Sequence, residues 1–213
     1  MATSSGTAYA SLTDLHTELG IATSSTANDL SMQLALDVAT IEITDYCGRS
    51  FLCSTGQTRY YTAECSSHLL TDDILAITAL RTDADGDGTF ETTHASTAYL
   101  LAPFNAAAEL SAAPYTSILF PSYSSGSFPT GYVRGVQIVG TFGYSTAVPT
   151  LVKKAALFQA ARSFRAKDAP FGTVGGQDFG ANYAGQGNEN AGALSLHPFA
   201  RRMLDFYRRR VIA

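Results

Sequence analysis

TANDLSMQLALDVATIEITDYCGRSF, residues 26–51, decides the fold. At 100° per residue, Leu30, Leu34, Val38 and Ile41 form one apolar stripe. Met32, Leu36, Ala39, Ile43 and Tyr46 form a second, and polar residues separate the two. Thr26 with Asp29 offers capping chemistry at the start, and Gly48 offers a stop. A helix apolar on two opposed sides is either central in its own domain or shared with a neighbouring subunit. Leu34, Val38, Ile41 and Ile43 are the residues expected at such a subunit interface.

Working outward, Ser11 and Asp14 cap a short helix whose stripe is Leu12, Leu15 and Leu19 and whose stop is Gly20. Beyond Phe51 the pattern changes to short runs rich in Thr, Tyr, Ile and Val. These cover 58–62, 74–82, 89–93, 98–101, 115–120 and 133–141, with turn residues between them. They predict an antiparallel β subdomain inserted between helices, with 121–131 as an exposed loop or hairpin tip. Pro149 restarts helix, with Val152, Ala156, Leu157, Ala160, Ala161 and Phe164 on its apolar side. Lys154, Arg162 and Arg165 lie opposite.

The C-terminal end reads differently. Residues 169–196 hold seven of the chain's 18 glycines and little that builds a core. The helix predicted over 198–210 places Phe199, Met203, Leu204, Phe206 and Tyr207 on one side, and Arg201, Arg202, Asp205, Arg208 and Arg209 on the other. This pattern predicts a tethered arm that reaches outside its own fold or is ordered on assembly. The expected organisation is therefore α+β: 1–50 helical core, 51–147 β insertion, 148–168 core helix, 169–196 Gly-rich arm and 197–213 basic helix.

Charge separates along the same lines. Residues 1–150 carry 4 Lys/Arg and 14 Asp/Glu, a net of 4 − 14 = −10; residues 151–213 carry 10 and 4, a net of +6. An acidic body with a basic end argues against a general DNA-binding domain, which would be basic overall. The opening MATSSGTAYA has neither the basic nor the apolar region of a signal peptide. No apolar run approaches the roughly 20 residues needed to span a bilayer, so no membrane partner is expected. Cys47, Cys53 and Cys65 are odd in number and lack CxxC spacing, which disfavours both a disulfide scaffold and a zinc site.

Candidate chemistry is sparse. Asp83-Ala-Asp85-Gly-Asp87-Gly88 matches the first half of a calcium loop, with Glu91 at the ninth position. The twelfth position is His94 rather than the bidentate Glu, and the flanks read as strands, so a hairpin turn without structural metal is expected. His16, His68, His94 and His197 fall in different elements and in no nucleophile or metal motif. Gly175-Gly176 lacks a phosphate-binding signature, and Asp72-Asp73 reads as a solvated turn before a strand. No enzyme and no cofactor is expected.

Several short motifs nevertheless stand in a familiar order. They are Tyr9-Ala-Ser-Leu-Thr-Asp-Leu15, Ile43-Thr-Asp-Tyr-Cys-Gly-Arg-Ser-Phe51, Asp83-Ala-Asp-Gly-Asp-Gly-Thr89 and Tyr99-Leu-Leu-Ala-Pro-Phe-Asn105. Gly140-Thr-Phe-Gly-Tyr144, Val148-Pro149 and Asp168-Ala-Pro-Phe-Gly172 follow. The chain resembles the head–tail connector (adaptor, or head-completion) proteins of tailed bacteriophages across nearly its whole length. The resemblance implies a virion neck protein, assembled in the host cytoplasm as a ring, commonly of twelve subunits, under the portal protein. Such a ring extends the channel through which DNA passes and meets a stopper or tail-completion protein. It also implies portal docking by the C-terminal segment, here Phe199, Arg201, Arg202, Met203, Phe206, Tyr207, Arg208, Arg209 and Arg210. The β insertion is large beside the minimal helical members. The rival reading is a calcium-stabilised structural or binding module of a virion or tail, built on Asp83, Asp85 and Asp87.

Overall fold

Four helices and a six-stranded antiparallel sheet make up the described residues, an α+β arrangement. The computed structural model describes residues 8–106, 113–166 and 196–209. The chain divides into a helical unit, residues 1–48 with 149–213, and a β unit, residues 49–148.

In the helical unit, α1 (Leu12–Leu19) opens on a capping box in which Ser11 and Asp14 satisfy each other's backbone N–H. Gly20 closes it in the left-handed region at φ 70°. The next helix, α2 (Asp29–Cys47), starts after Asn28 rather than on a Thr26 cap. The Asp29 carboxylate turns instead to the buried His16, with Oδ1 and Nε2 2.9 Å apart. Pro149 leads into α3 (Thr150–Ala166). The core joins Leu15, Met32, Leu36 and Ala39 to Leu157, Ala160, Ala161 and Phe164. The alanines at this seam let the two long helices approach closely. Lys153–Asp14 at 2.9 Å and Lys154–Glu18 at 2.8 Å tie the rim of α3 to α1. Last comes α4 (Pro198–Leu204), followed by a 3-10 turn (Asp205–Tyr207). The segment expected as a tether, 169–196, lies outside the described residues except for Leu196.

The β unit contains β1 (Ser54–Tyr61), β2 (His68–Thr82), β3 (Thr92–His94), β4 (Leu100–Ala102), β5 (Tyr115–Leu119) and β6 (Val136–Phe142). The sheet order is β1-β6-β2-β5-β4, with β3 paired to β2. The first half of β2 pairs with β5, and its second half pairs with β6 and β3. Ile74, Leu80, Ile118, Phe120, Phe128, Val136, Ile138 and Phe142 fill its core.

One expectation is corrected here. Asp72 and Asp73 lie inside β2, which begins at His68 rather than at residue 74. The alternation of the strand turns Thr71 and Asp73 inward, and Arg49 makes burial of Asp73 tolerable, with Nε 3.6 Å from Oδ2. Asp72 faces out and is held by Arg59 at 2.8 Å and the Tyr61 hydroxyl at 3.1 Å.

Candidate assembly surfaces

The two stripes of α2 have separate fates. Met32, Leu36, Ala39 and Ile43 are buried in the helical unit. Leu30, Leu34 and Ile41 are 86%, 63% and 61% exposed, and Val38 is half-buried. Ile43, expected at a subunit interface, therefore belongs to the protomer's own core. Its relative accessibility is zero. What remains on the outer face is an apolar row of the kind that soluble monomers seldom leave bare.

The C-terminal helix is also divided. Ala200, Leu204 and Tyr207 are buried, and α4 packs on α3. His197 caps it, its Nδ1 accepting from the Phe199 N–H at 3.1 Å, while its own N–H donates to Gln159 Oε1 at 3.2 Å. Tyr46 donates to Asp205 Oδ1 at 2.5 Å, and the N–H of Arg209 donates to the Cys47 carbonyl at 2.8 Å. The guanidinium of Arg208 lies 5.0 Å from the centre of the Tyr46 ring.

The segment expected at the end of a tethered arm thus has contacts to its own helical unit as well. The apolar residues of this segment are shared between a face seated on the helical unit and an outer face. Of the set expected to meet a portal, Phe199 and Phe206 are 53% and 72% exposed. Arg201, Arg202, Arg208 and Arg209 are exposed, Met203 is half-buried and Tyr207 is buried. The helix is also shorter than expected, ending at Leu204, and Arg210 lies outside the described residues.

Two of the resemblance motifs meet in the β unit. The N–H of Tyr144 donates to the Ser50 carbonyl at 3.2 Å, and the Phe51 and Tyr144 rings lie 5.3 Å apart. A Cβ on Gly140 would stand 2.2 Å from the Ala76 carbonyl oxygen, where β6 closes on the irregular stretch of β2. Gly143 takes φ 134°, a value that favours glycine. The conspicuous glycines of residues 140–144 therefore serve the fold.

The Asp83 loop joins β2 to β3 as a wide hairpin. It gathers one carboxylate oxygen each from Asp83, Asp85, Asp87 and Glu91 within 4.8 Å of one another. Its backbone is organised by the acids themselves. Gly86 and Gly88 donate to Asp83 at 2.6 and 2.9 Å, Asp87 to Asp85 at 3.3 Å, and Thr89 to Asp87 at 2.7 Å. Desolvation pushes the Asp83 carboxyl up, and the two glycine amides outweigh it, leaving it below its ordinary value. His94, at the twelfth position, instead pairs its Nε2 with the Thr82 hydroxyl at 2.9 Å. The Cys65 thiol lies 3.4 Å from the Ser67 hydroxyl. Among the described residues no helix is long and apolar enough to cross a membrane.

The helical unit of this α+β chain thus carries apolar outer faces on α2 and on its C-terminal segment. No protein-family model and no curated protein matches the chain. Among solved structures it is similar to a chain from the neck of an empty gene transfer agent (GTA) particle computed with C6 symmetry. There the identity is 18% and the TM-score 0.56, covering all of this chain and 95% of the other. A chain from the neck of the native particle, computed with C12 symmetry, gives 16% identity and a TM-score of 0.52 over 100% and 95%. A chain of the native GTA virion gives 16% and 0.51 over 96% and 92%. The chain thus shares the fold of chains in these neck and virion structures over 96–100% of its length.

Proposed function

We propose that this chain is a structural, non-enzymatic neck protein of a tailed-phage-like particle: a head-to-tail adaptor that forms a ring below the portal. The observation that carries the reading is full-length similarity of fold to chains of symmetric necks. The bare apolar row Leu30, Leu34 and Ile41 supports it from within the molecule, because a ring gives that row a cover. Twelve copies is the stoichiometry that both neighbouring symmetries accommodate. The net charge of −10 over residues 1–150 suits a lumen through which DNA slides without adhering. In this reading the ring meets the portal on one side and a stopper or tail-completion protein on the other, after assembly in the host cytoplasm.

The test is a particle preparation lacking this chain. DNA-filled heads without tails should accumulate, and purified protein should restore tail joining. Complete, stable necks that contain no copy of the chain would overturn the proposal.

A further inference from the structure

We infer that the ring closes through one repeated head-to-tail contact, in which the outer face of α4 on one copy covers the outer face of α2 on the next. This rests on the ring reading above and names the two surfaces that would meet.

The faces match in apolar character and in charge. On α2, Leu30, Leu34, Asp37, Ile41 and Asp45 follow one another at intervals of three or four residues, so acids punctuate an exposed apolar row. On the C-terminal segment, Phe199 and Arg202 of α4 are followed by Phe206 in the 3-10 turn and by Arg209 just beyond it, all four exposed, so aromatic and arginine side chains alternate along its outer side. Phe199 continues that row onto Phe158 of α3, with ring centres 5.3 Å apart.

Among the described residues, neither face is covered within its own helical unit. The core side of α2 meets α3, so its outer side points away from α3, while α4 packs on α3. Self-pairing is also disfavoured. Two α2 faces would set Asp37 and Asp45 against their own kind, and two α4 faces would set arginine against arginine. Each surface rejects itself and accepts the other. Two different complementary patches on one chain make a heterologous contact, which is the kind that generates rings; a self-complementary patch makes a twofold dimer.

The experiment uses the full chain and two single variants, Leu34→Asp and Phe206→Asp. Sedimentation gives the mass at concentrations where wild type assembles, alone or on portal-bearing heads. Both sites are exposed, so each variant should melt within a few degrees of wild type. Each alone should be monomeric. Mixed in equal amounts they should form a one-to-one dimer of twice the monomer mass, because one intact α2 face meets one intact α4 face and both remaining faces are spoiled.

A folded variant that assembles like wild type, or a mixture that stays monomeric, overturns the pairing. So does a Phe206→Asp ring that forms normally but fails to bind heads, which would give the α4 face to the portal. Wild-type chain that never associates, in solution or on heads, removes the ring reading itself.

Discussion

The ring of Phe51 stands 5.3 Å from that of Tyr144, so the first and last turns of the β unit's sequence are clasped together. Arg49 adds to the clasp, its guanidinium 5.3 Å from the centre of the Tyr144 ring and its Nε 3.6 Å from the buried Asp73. Phe51 is fully buried, and its replacement by alanine should cost about 3–5 kcal/mol. Asp73→Ala should cost about 3–5 kcal/mol, because it leaves Arg49 without its carboxylate in a desolvated place. Urea denaturation of the full chain measures both. Losses under about 1 kcal/mol would mean that the ends of the β unit are not pinned here.

Acid should weaken α1 through Asp14. The Ser11 hydroxyl, and after it Lys153, lowers the Asp14 carboxyl to about 2, below its ordinary 3.8. A depressed carboxylate stabilises the fold above its unfolded value, and the contribution disappears as pH falls through about 2. Ser11→Ala should cost about 1 kcal/mol near neutrality through loss of the cap. The gap from wild type should narrow between about pH 4 and pH 2. Carboxyl titration by NMR should show Asp14 rising in the variant; an unchanged titration would assign the shift elsewhere.

The Asp83 loop should hold its shape by amide hydrogen bonds alone. Gly86 and Gly88 both donate to Asp83, so Asp83→Ala should lower the melting temperature equally in calcium and in chelator. Thermal melting in both conditions checks this. A calcium-dependent rise in the wild-type melting temperature, abolished by Asp85→Asn, would favour the rival calcium-stabilised module. The convergence of Asp85, Asp87 and Glu91 on Asp83 makes that comparison worth running.

Local signals were legible in the sequence, and long-range ones were not. Gly20 and Gly48 end their helices at φ 70° and 63°, where glycine is cheapest, and that reading needs only the neighbouring residues. The paired acids of β2 look like a turn because the residue that compensates Asp73 is Arg49, supplied from before β1. The clasp between Phe51 and Tyr144 depends on strand order, since β6 lies beside β1. The two stripes of α2 were visible, but periodicity cannot say which one the protomer keeps. Leu36 and Leu34 differ in burial because of where α3 lies, not because of anything in their own turn of helix. The seating of α4 was hidden for the same reason: its footing is Tyr46, Cys47 and Gln159, all remote in sequence.

That seating gives the last prediction. A segment carried on a free arm would tolerate changes to its apolar residues until a partner arrived. Here Leu204 is fully buried, and Ala200 and Tyr207 are buried beside it on the helical unit. Leu204→Ala should therefore destabilise the isolated chain by about 2–5 kcal/mol, whereas Phe206→Ala, on the outer face, should change it by no more than about 0.5 kcal/mol. Tyr46→Phe, which removes the donor to Asp205 at a partly exposed site, should cost about 0.5–1.5 kcal/mol. The three values come from denaturant melts of the purified chain with no partner present. If Leu204→Ala melts like wild type, the C-terminal helix is an arm after all and gains its footing only in the assembled particle. If Leu204→Ala is costly and Phe206→Ala is silent, the helix belongs to the protomer and only its outer face is left for assembly.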